Sequence, residues 1–395
     1  MTHHWHSSCT CRYHYVWVEV LMSTNKTGVA ALIATADRGP SIVMTIESIK
    51  RLQGQLDELV IVDQSANDDT YMAIMPYLQD PFISYMRVSS KGKGKALNLA
   101  LAQMDSEIVI LTDDDTEVCD NWISAYTKRF TKDDNTVLIY GDVLAAEFDP
   151  SEGFIPVYEC GQDRVITSLW ERRNTRGIGA NCAIRRTPVM ALGGFDPEMG
   201  PRGDFRACID YDLTVRCIVA GHTVQETPES AVIHYGFRTH KQGARLMRNA
   251  FHGIAAMHTK LIRAGHYNDI PCMIHEFACY AAAPLFHNLM KGKLQGLQAI
   301  KGFVSGIGAA MRHDFDATTA MFQPNLATSG SIVPMPAFGV ASNPSFATAQ
   351  NPVLTVVDGG LPDGITTATN EAATFAVSSN QPNTVDAQET VQRAA

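Results

Sequence analysis

Residues 107–115 read EIVILTDDD. A short apolar run from Ile108 to Thr112, bounded by polar residues, is the pattern of a strand buried on both faces, and three carboxylates stand at its end. Working outward, GVAALIAT (28–35), ELVIVDQS (58–65) and FISYMRVSS (82–90) are strands of the same kind. Between them, SIVMTIESIKRLQ (41–53) and KALNLALAQM (95–104) carry apolar residues at helical spacing, with Ser41 placed to cap the first. Alternation of strand and helix at short spacing predicts an α/β fold, a mostly parallel sheet with helices on both faces. In such sheets ligands bind outside the carboxyl ends of the strands. Those ends carry Asp37-Arg38, Asp63-Gln64-Ser65 and Asp113-Asp114-Asp115. The polar chemistry is therefore expected along one edge.

The chain is 395 residues long, 45% hydrophobic and 18% charged, which excludes a wholly disordered or collagen-like protein. Its net charge of −9 conceals three regions. Residues 1–237 carry −11, residues 238–313 carry +8, and residues 314–395 carry −6. The acidity of the first region, with no recognised module, excludes nucleic acid as a partner. The second region reads as helices with basic faces. It suits either an anionic lipid surface or lipid diphosphate, as a peripheral membrane contact, or plain packing with solvated lysines. Nine widely spaced cysteines read as reduced thiols of a cytoplasmic protein. The stretch CMIHEFACYAAAPLFHNLM (272–290) contains His275, Glu276, Pro284 and His287, and is expected to lie buried or interfacial rather than to span a bilayer. The boundaries expected are a flexible leader over 1–24, a catalytic domain over 25–237, a helical extension over 238–315 and a low-complexity, disordered tail over 316–395. Within the leader, His3, His4, His6, Cys9 and Cys11 could ligate a metal, but they precede any periodic segment, and Met22 opens a cleaner start.

Three carboxylates at a strand end repel one another unless a cation sits among them, and an oxygen-rich site suits Mg²⁺ or Mn²⁺. Alternate residues of an extended segment share a side, so Asp113 and Asp115 are the pair to hold it. An isolated DDD is as well read as a solvated loop; its position at the carboxyl edge favours the ion. SSKGKGKALN (89–98) adds flexible glycines and Lys91, Lys93 and Lys95 at a helix start, a setting for phosphate. Asp63 can accept hydrogen bonds from a base or ribose.

Taken in order, these motifs resemble the family 2 glycosyltransferases of the GT-A fold, which move a sugar from a nucleotide diphosphate donor. The resemblance covers residues 28–265 and rests on ATADR, VDQS where members often have VDDGS, KGKGKALN, LTDDD as the DxD motif, GIGANCAIRRTPVMALGGFDP, and IDYDLTVRCIVAGH. It implies that Asp63 contacts the nucleotide base, and that Asp113 touches the ribose or ion. By the same resemblance Asp115 and His234 complete a Mn²⁺ or Mg²⁺ site, and Asp210 is the general base. Thr35, Asp37, Arg38, Lys91, Lys93, Asn98, Asp114, Gly179 and Asn181 would line the donor site. The acceptor is open among saccharide, lipid-linked and small-molecule classes.

Two departures qualify the match. Ile209 stands where a glutamate usually precedes the base, which leaves Asp212 or Asp204 as alternative bases and supports a second reading, a degenerate nucleotide-sugar binder or scaffold. A sugar nucleotidyltransferase is a third, but ADRGPS is a poor triphosphate loop. Gln242-Gly-Ala-Arg245-Leu246 resembles the QxxRW motif of processive synthases with Leu for Trp, which favours transfer of single sugars.

Overall fold

The computed structural model describes residues 28–292 and 296–323. The expectations for residues 1–24, including the His/Cys stretch, and for most of the low-complexity tail lie outside the described residues.

The chain opens as β1 (Val29–Thr35), α1 (Ile42–Lys50), β2 (Glu58–Asp63), α2 (Asp69–Ile74), β3 (Ile83–Arg87), α3 (Lys93–Leu101) and β4 (Ile108–Thr112). Next come β5 (Thr116–Val118), α4 (Trp122–Phe130), β6 (Thr136–Ala145), β7 (Gly153–Phe154), β8 (Arg164–Ile166), α5 (Leu169–Arg172), β9 (Asn181–Arg185), α6 (Arg186–Ala191), α7 (Ile209–Val219) and β10 (Thr223–His234). The main sheet runs β3-β2-β1-β4-β9-β6-β10-β5, with β8 also on β10. Strands β1 to β4, β6 and β10 point the same way, and β5, β8 and β9 run against them. This is the mostly parallel sheet expected.

Both faces of the parallel strands are apolar, so each collects helices. Ala30, Leu32, Val60, Val62, Val109 and Leu111 pack in one core with Leu97 of α3, Ile209 and Leu213 of α7. Their alternates Ala31, Ile33, Leu59, Ile61, Ile108 and Ile110 pack in a second core with Ile46 of α1 and Trp122 and Phe130 of α4. Period-2 alternation sends successive side chains to opposite faces, and each fully buried Leu or Ile contributes about 1.5–3 kcal/mol. Ser41 does not cap α1: its backbone is already helical, and its hydroxyl donates to the Arg38 carbonyl at 2.9 Å.

Beyond β11 (Arg238–Thr239), the helices are α8 (His240–Arg263), α9 (Ile270–Glu276), a π-helical turn over Phe277–Ala282, α10 (Ala283–Met290) and α11 (Leu297–Arg312), followed by β12 (Phe315–Asp316) and β13 (Met321–Phe322). Gln242 forms a capping box with Thr239 at the start of α8, and Leu246 is buried in the core. Helix α11 lies against α8 at close range, since a Cβ on Gly302 would stand 2.3 Å from the Arg248 carbonyl oxygen. No helix among the described residues is long and apolar enough to cross a membrane. Residues 316–323, placed by sequence in the tail, form an ordered hairpin with the preceding residue. Phe322 stacks on Phe205 with ring centroids 4.0 Å apart, and its N–H donates to Asp196 at 2.8 Å.

The helical region supplies counter-ions to the sheet domain. Lys260 of α8 is fully buried with its Nζ 2.5 Å from Asp196 and 2.7 Å from Asp212. Arg216 donates to the other oxygen of Asp212 at 2.8 Å.

Candidate active site

The ends of β1, β2, β4 and β10 and the start of α7 meet at one edge. Strand β4 stops at Thr112, whose hydroxyl donates to the Ala180 carbonyl, and the Thr116 hydroxyl donates to the Asp113 carbonyl at 3.0 Å, so the three aspartates occupy a pinned turn. Strand β5 then pairs with β10 in a register that sets Thr116 opposite His234. That register is what delivers His234 to Asp115.

Each carboxylate has its own environment. Asp113 takes an ion pair from Lys93 at 2.5 Å. Asp114 accepts from the Thr35 hydroxyl at 2.6 Å and from Arg38 Nε at 3.0 Å. Asp115 accepts from Arg38 at 2.8 Å and faces His234 Nε2 at 3.2 Å. Burial pushes the Asp114 carboxyl up to about 7, with the Asp115 and Asp113 charges adding to it and Arg38 opposing. Burial works the same way on Asp115, but its bonds and charge contacts with His234 and Arg38 outweigh it and hold that carboxyl well below the usual range.

Asp113, Asp115 and His234 offer three ligand atoms within 4.8 Å of one another. The residues fit a cation on two further grounds. Asp115 Oδ1 is buried, and its neighbour is the His234 Nε2 3.2 Å away, so the two ligand atoms face the same point. His234 Nδ1 lies 3.0 Å from the Pro156 carbonyl, an acceptor only, so Nδ1 carries the proton and Nε2 presents its lone pair to the site. Burial lowers the imidazole pKa, but the hydrogen bond and charge of Asp115 more than offset this and raise it.

Asp210, in the first turn of α7, is buried with its carboxylate against Gly179, whose N–H donates to it. A Cβ at Gly179 would stand 2.2 Å from Asp210 Oδ1, so only glycine allows this approach. Burial raises the Asp210 pKa; Lys93 counters and Asp113 reinforces the rise. A carboxylate so tuned is suited to general-base work. The two other acids sit differently. Asp212 is consumed by Lys260 and Arg216, and Asp204 sits on the surface beside His313 at 3.2 Å. Ile209 is buried in the core, 2.9 Å from where a Gly94 Cβ would lie and against Gly200. Its side chain fills space behind the site, where a glutamate would be stranded.

Thr35, Arg38, Lys93, Asp113 and Asp114 line an open cleft, together with Gln64, Pro201 and Arg202. Asp63 is buried at the end of β2, accepting from the Ser65 N–H at 2.7 Å and the Tyr85 hydroxyl at 2.8 Å. Asp37 accepts from the Ala66 N–H and pairs with Arg202 at 3.0 Å. Lys91 is exposed and Lys95 lies 3.5 Å from Glu198. Two expected donor contacts belong instead to the scaffold. Asn98 uses both halves of its amide on Phe195, at 2.8 Å each way. Asn181 is fully buried, accepting from Trp122 and Tyr126 and donating to the Asp142 carbonyl. Arg202 was not foreseen, and its only sequence signal is a lone cation in GPRGD ahead of α7.

The chain is thus an α/β protein with carboxylates, a histidine and lysines gathered on the carboxyl edge of its sheet. Residues 31–189 match the model of glycosyl transferase family 2. A relative is the glucosyl-dolichyl phosphate glucuronosyltransferase of Haloferax volcanii, 24% identical over 187 residues, 45% of this chain. The chain spans 58% of that relative's length. Among solved structures, the mannosyltransferase PcManGT of Pyrobaculum calidifontis, in complex with GDP-Man and Mn²⁺, is similar at TM-score 0.47 and 16% identity, over 75% of this chain and 86% of that one. S. aureus TarS 1–349 is similar at TM-score 0.44 and 13% identity, over 58% and 64%.

Proposed function

We propose that the protein is an inverting, metal-dependent glycosyltransferase that moves a single sugar from a nucleotide diphosphate donor to an acceptor hydroxyl in polysaccharide, glycolipid or other cell-envelope glycan synthesis. The observation that carries the reading is the cluster of Asp113, Asp115 and His234, whose ligand atoms lie within 4.8 Å of one another on the same edge as Asp210. Asp113 takes the ribose or ion, and Asp113, Asp115 and His234 would hold the cation, while Asp63, fully buried with its two oxygens bonded to Ser65 and Tyr85, braces the end of β2. Mn²⁺ suits a mixed carboxylate and imidazole set better than Mg²⁺, which prefers oxygen alone. When bound, the cation stabilises the negative charge that gathers on the leaving diphosphate. Lys93 and the exposed Lys91 reach phosphate oxygens at the α3 N-terminus. Asp210 takes the acceptor proton as the new bond to the anomeric carbon forms, and the bond to the diphosphate oxygen breaks with its electron pair leaving on the diphosphate. Attack on the face opposite the leaving group inverts the anomeric centre.

A panel of UDP-glucose, UDP-glucuronate, GDP-mannose and dTDP-rhamnose tests this directly. One donor should release its nucleoside diphosphate with Mn²⁺ and not with chelator. If none is turned over, and none shifts the melting temperature in a metal-dependent way, the reading fails.

The helical region also favours a peripheral contact with anionic lipid, and with it a lipid-linked acceptor. Ile274 is 61% exposed, Phe286 67% and Met290 74%, apolar tips in a segment with a net charge of +8. Vesicles containing phosphatidylglycerol should sediment the protein, and neutral phosphatidylcholine vesicles should not. Equal partition with both would remove the electrostatic part of this reading.

A further inference from the structure

Three fully buried charged side chains of the helical region are not used by the chemistry above: Lys260, Asp269 and Glu276. Glu276, at the end of α9, reaches across to the sheet domain. Its Oε2 accepts from Arg176 at 2.7 Å, and its Oε1 accepts from the Tyr211 hydroxyl at 2.6 Å. Arg172 completes the group, 3.7 Å from Glu276 and stacked over the Tyr211 ring at 3.7 Å.

The two hydrogen-bond donors to Glu276 are the two handles on Asp210. Tyr211 is the next residue in α7. Arg176 begins the short segment Arg176-Gly-Ile-Gly179, whose last N–H donates to the Asp210 carboxylate. Arg176 is fixed at its backbone as well, its N–H donating to the Tyr158 hydroxyl at 3.0 Å and to Glu226 at 3.1 Å. A single carboxylate from beyond residue 237 thus ties the donor of that hydrogen bond to the helix turn that bears its acceptor. We propose that Glu276 is a positioning residue, holding Asp210 and Gly179 in register through Tyr211 and Arg176, so that the helical region completes the catalytic site. The inference rests on Asp210 being the base.

Tyr211→Phe and Glu276→Asp test it without removing a charge. The first deletes one hydroxyl, and the second withdraws the carboxylate by one methylene. Turnover is read as nucleoside diphosphate released with Mn²⁺, water serving as acceptor, from whichever of UDP-glucose, UDP-glucuronate or GDP-mannose the wild-type protein hydrolyses. Each variant should lose about tenfold in kcat, since small misplacements of a reacting group are costly, while affinity for the nucleoside diphosphate with Mn²⁺ stays within about twofold. The discriminating measurement is a double-mutant cycle. With Asp210→Asn already present, Tyr211→Phe should have no further effect, because nothing is left to position. A Tyr211→Phe protein that melts cooperatively and keeps wild-type kcat overturns the proposal. So does a loss that persists in full in the Asp210→Asn background. Wild-type turnover by Asp210→Asn alone would instead remove Asp210 as the base, a separate failure of the underlying reading.

Discussion

Asp210→Asn should lower turnover by about 10²- to 10⁴-fold, the range general-base catalysis commonly supplies, while donor and metal binding stay near wild type. The amide keeps the size of the carboxylate and can still accept from the Gly179 N–H, so the α7 turn and the glycine approach survive. What it cannot do is take the proton from the acceptor. The pH dependence has a defined sign. Burial raises the Asp210 pKa, and only the ionised form is a base, so kcat should fall as the pH drops through a value above the ordinary aspartate range. The variant should lose that limb. A carboxylate with a raised native pKa stabilises the fold below its unfolded value, and that contribution is lost as the pH rises through the native one. At neutral pH the ionised Asp210 is therefore a burden on the fold, and the variant should melt higher than wild type while turning over far less. An inactive variant that also melts lower would point to a structural role.

Asp115→Ala should abolish the gain in melting temperature that Mn²⁺ gives the wild-type protein and reduce turnover by at least ~100-fold. Loss of outer partners of a metal site already costs about 10–100-fold, and Asp115 is placed to touch the ion itself. Arg38 keeps Asp114 as a partner in this variant, and Lys93 keeps Asp113, so the metal-free protein should still melt cooperatively. Raising Mn²⁺ should not restore activity, because the site would be left with one carboxylate and one imidazole. Saturable Mn²⁺ stabilisation of Asp115→Ala equal to that of wild type would place the ion elsewhere.

Much of this site could be read in the sequence because it depends on strand ends. Thr35, Asp63 and the three consecutive aspartates each follow an apolar run, and parallel strands bring such ends together without further information. His234 could be placed only by resemblance, since what brings it to Asp115 is the antiparallel pairing of the three-residue β5 with β10. Asn98 and Asn181 show the opposite failure. Both sit in motif segments near the site, yet a polar side chain at such a position is as useful for tying loops as for meeting ligand, and spacing cannot distinguish the two. The counter-ions were invisible for a related reason. A buried lysine or glutamate in an amphipathic helix has the same letter as a solvated one, so nothing in 238–313 sets the fully buried Lys260 and Glu276 apart from the charges on the surface.

The Lys260 cluster also constrains how this sequence can drift. Removing one partner of a buried pair costs about 3–5 kcal/mol against a total stability of about 5–15 kcal/mol, so a lineage that loses Lys260 alone, or Asp212 alone, approaches the edge of folding. Neutral replacement is open only as a joint change across a separation of dozens of residues. Among homologues, positions 196, 212 and 260 should therefore be inherited as a block, retained together or exchanged together, while the lysines on the outside of the same helices vary freely.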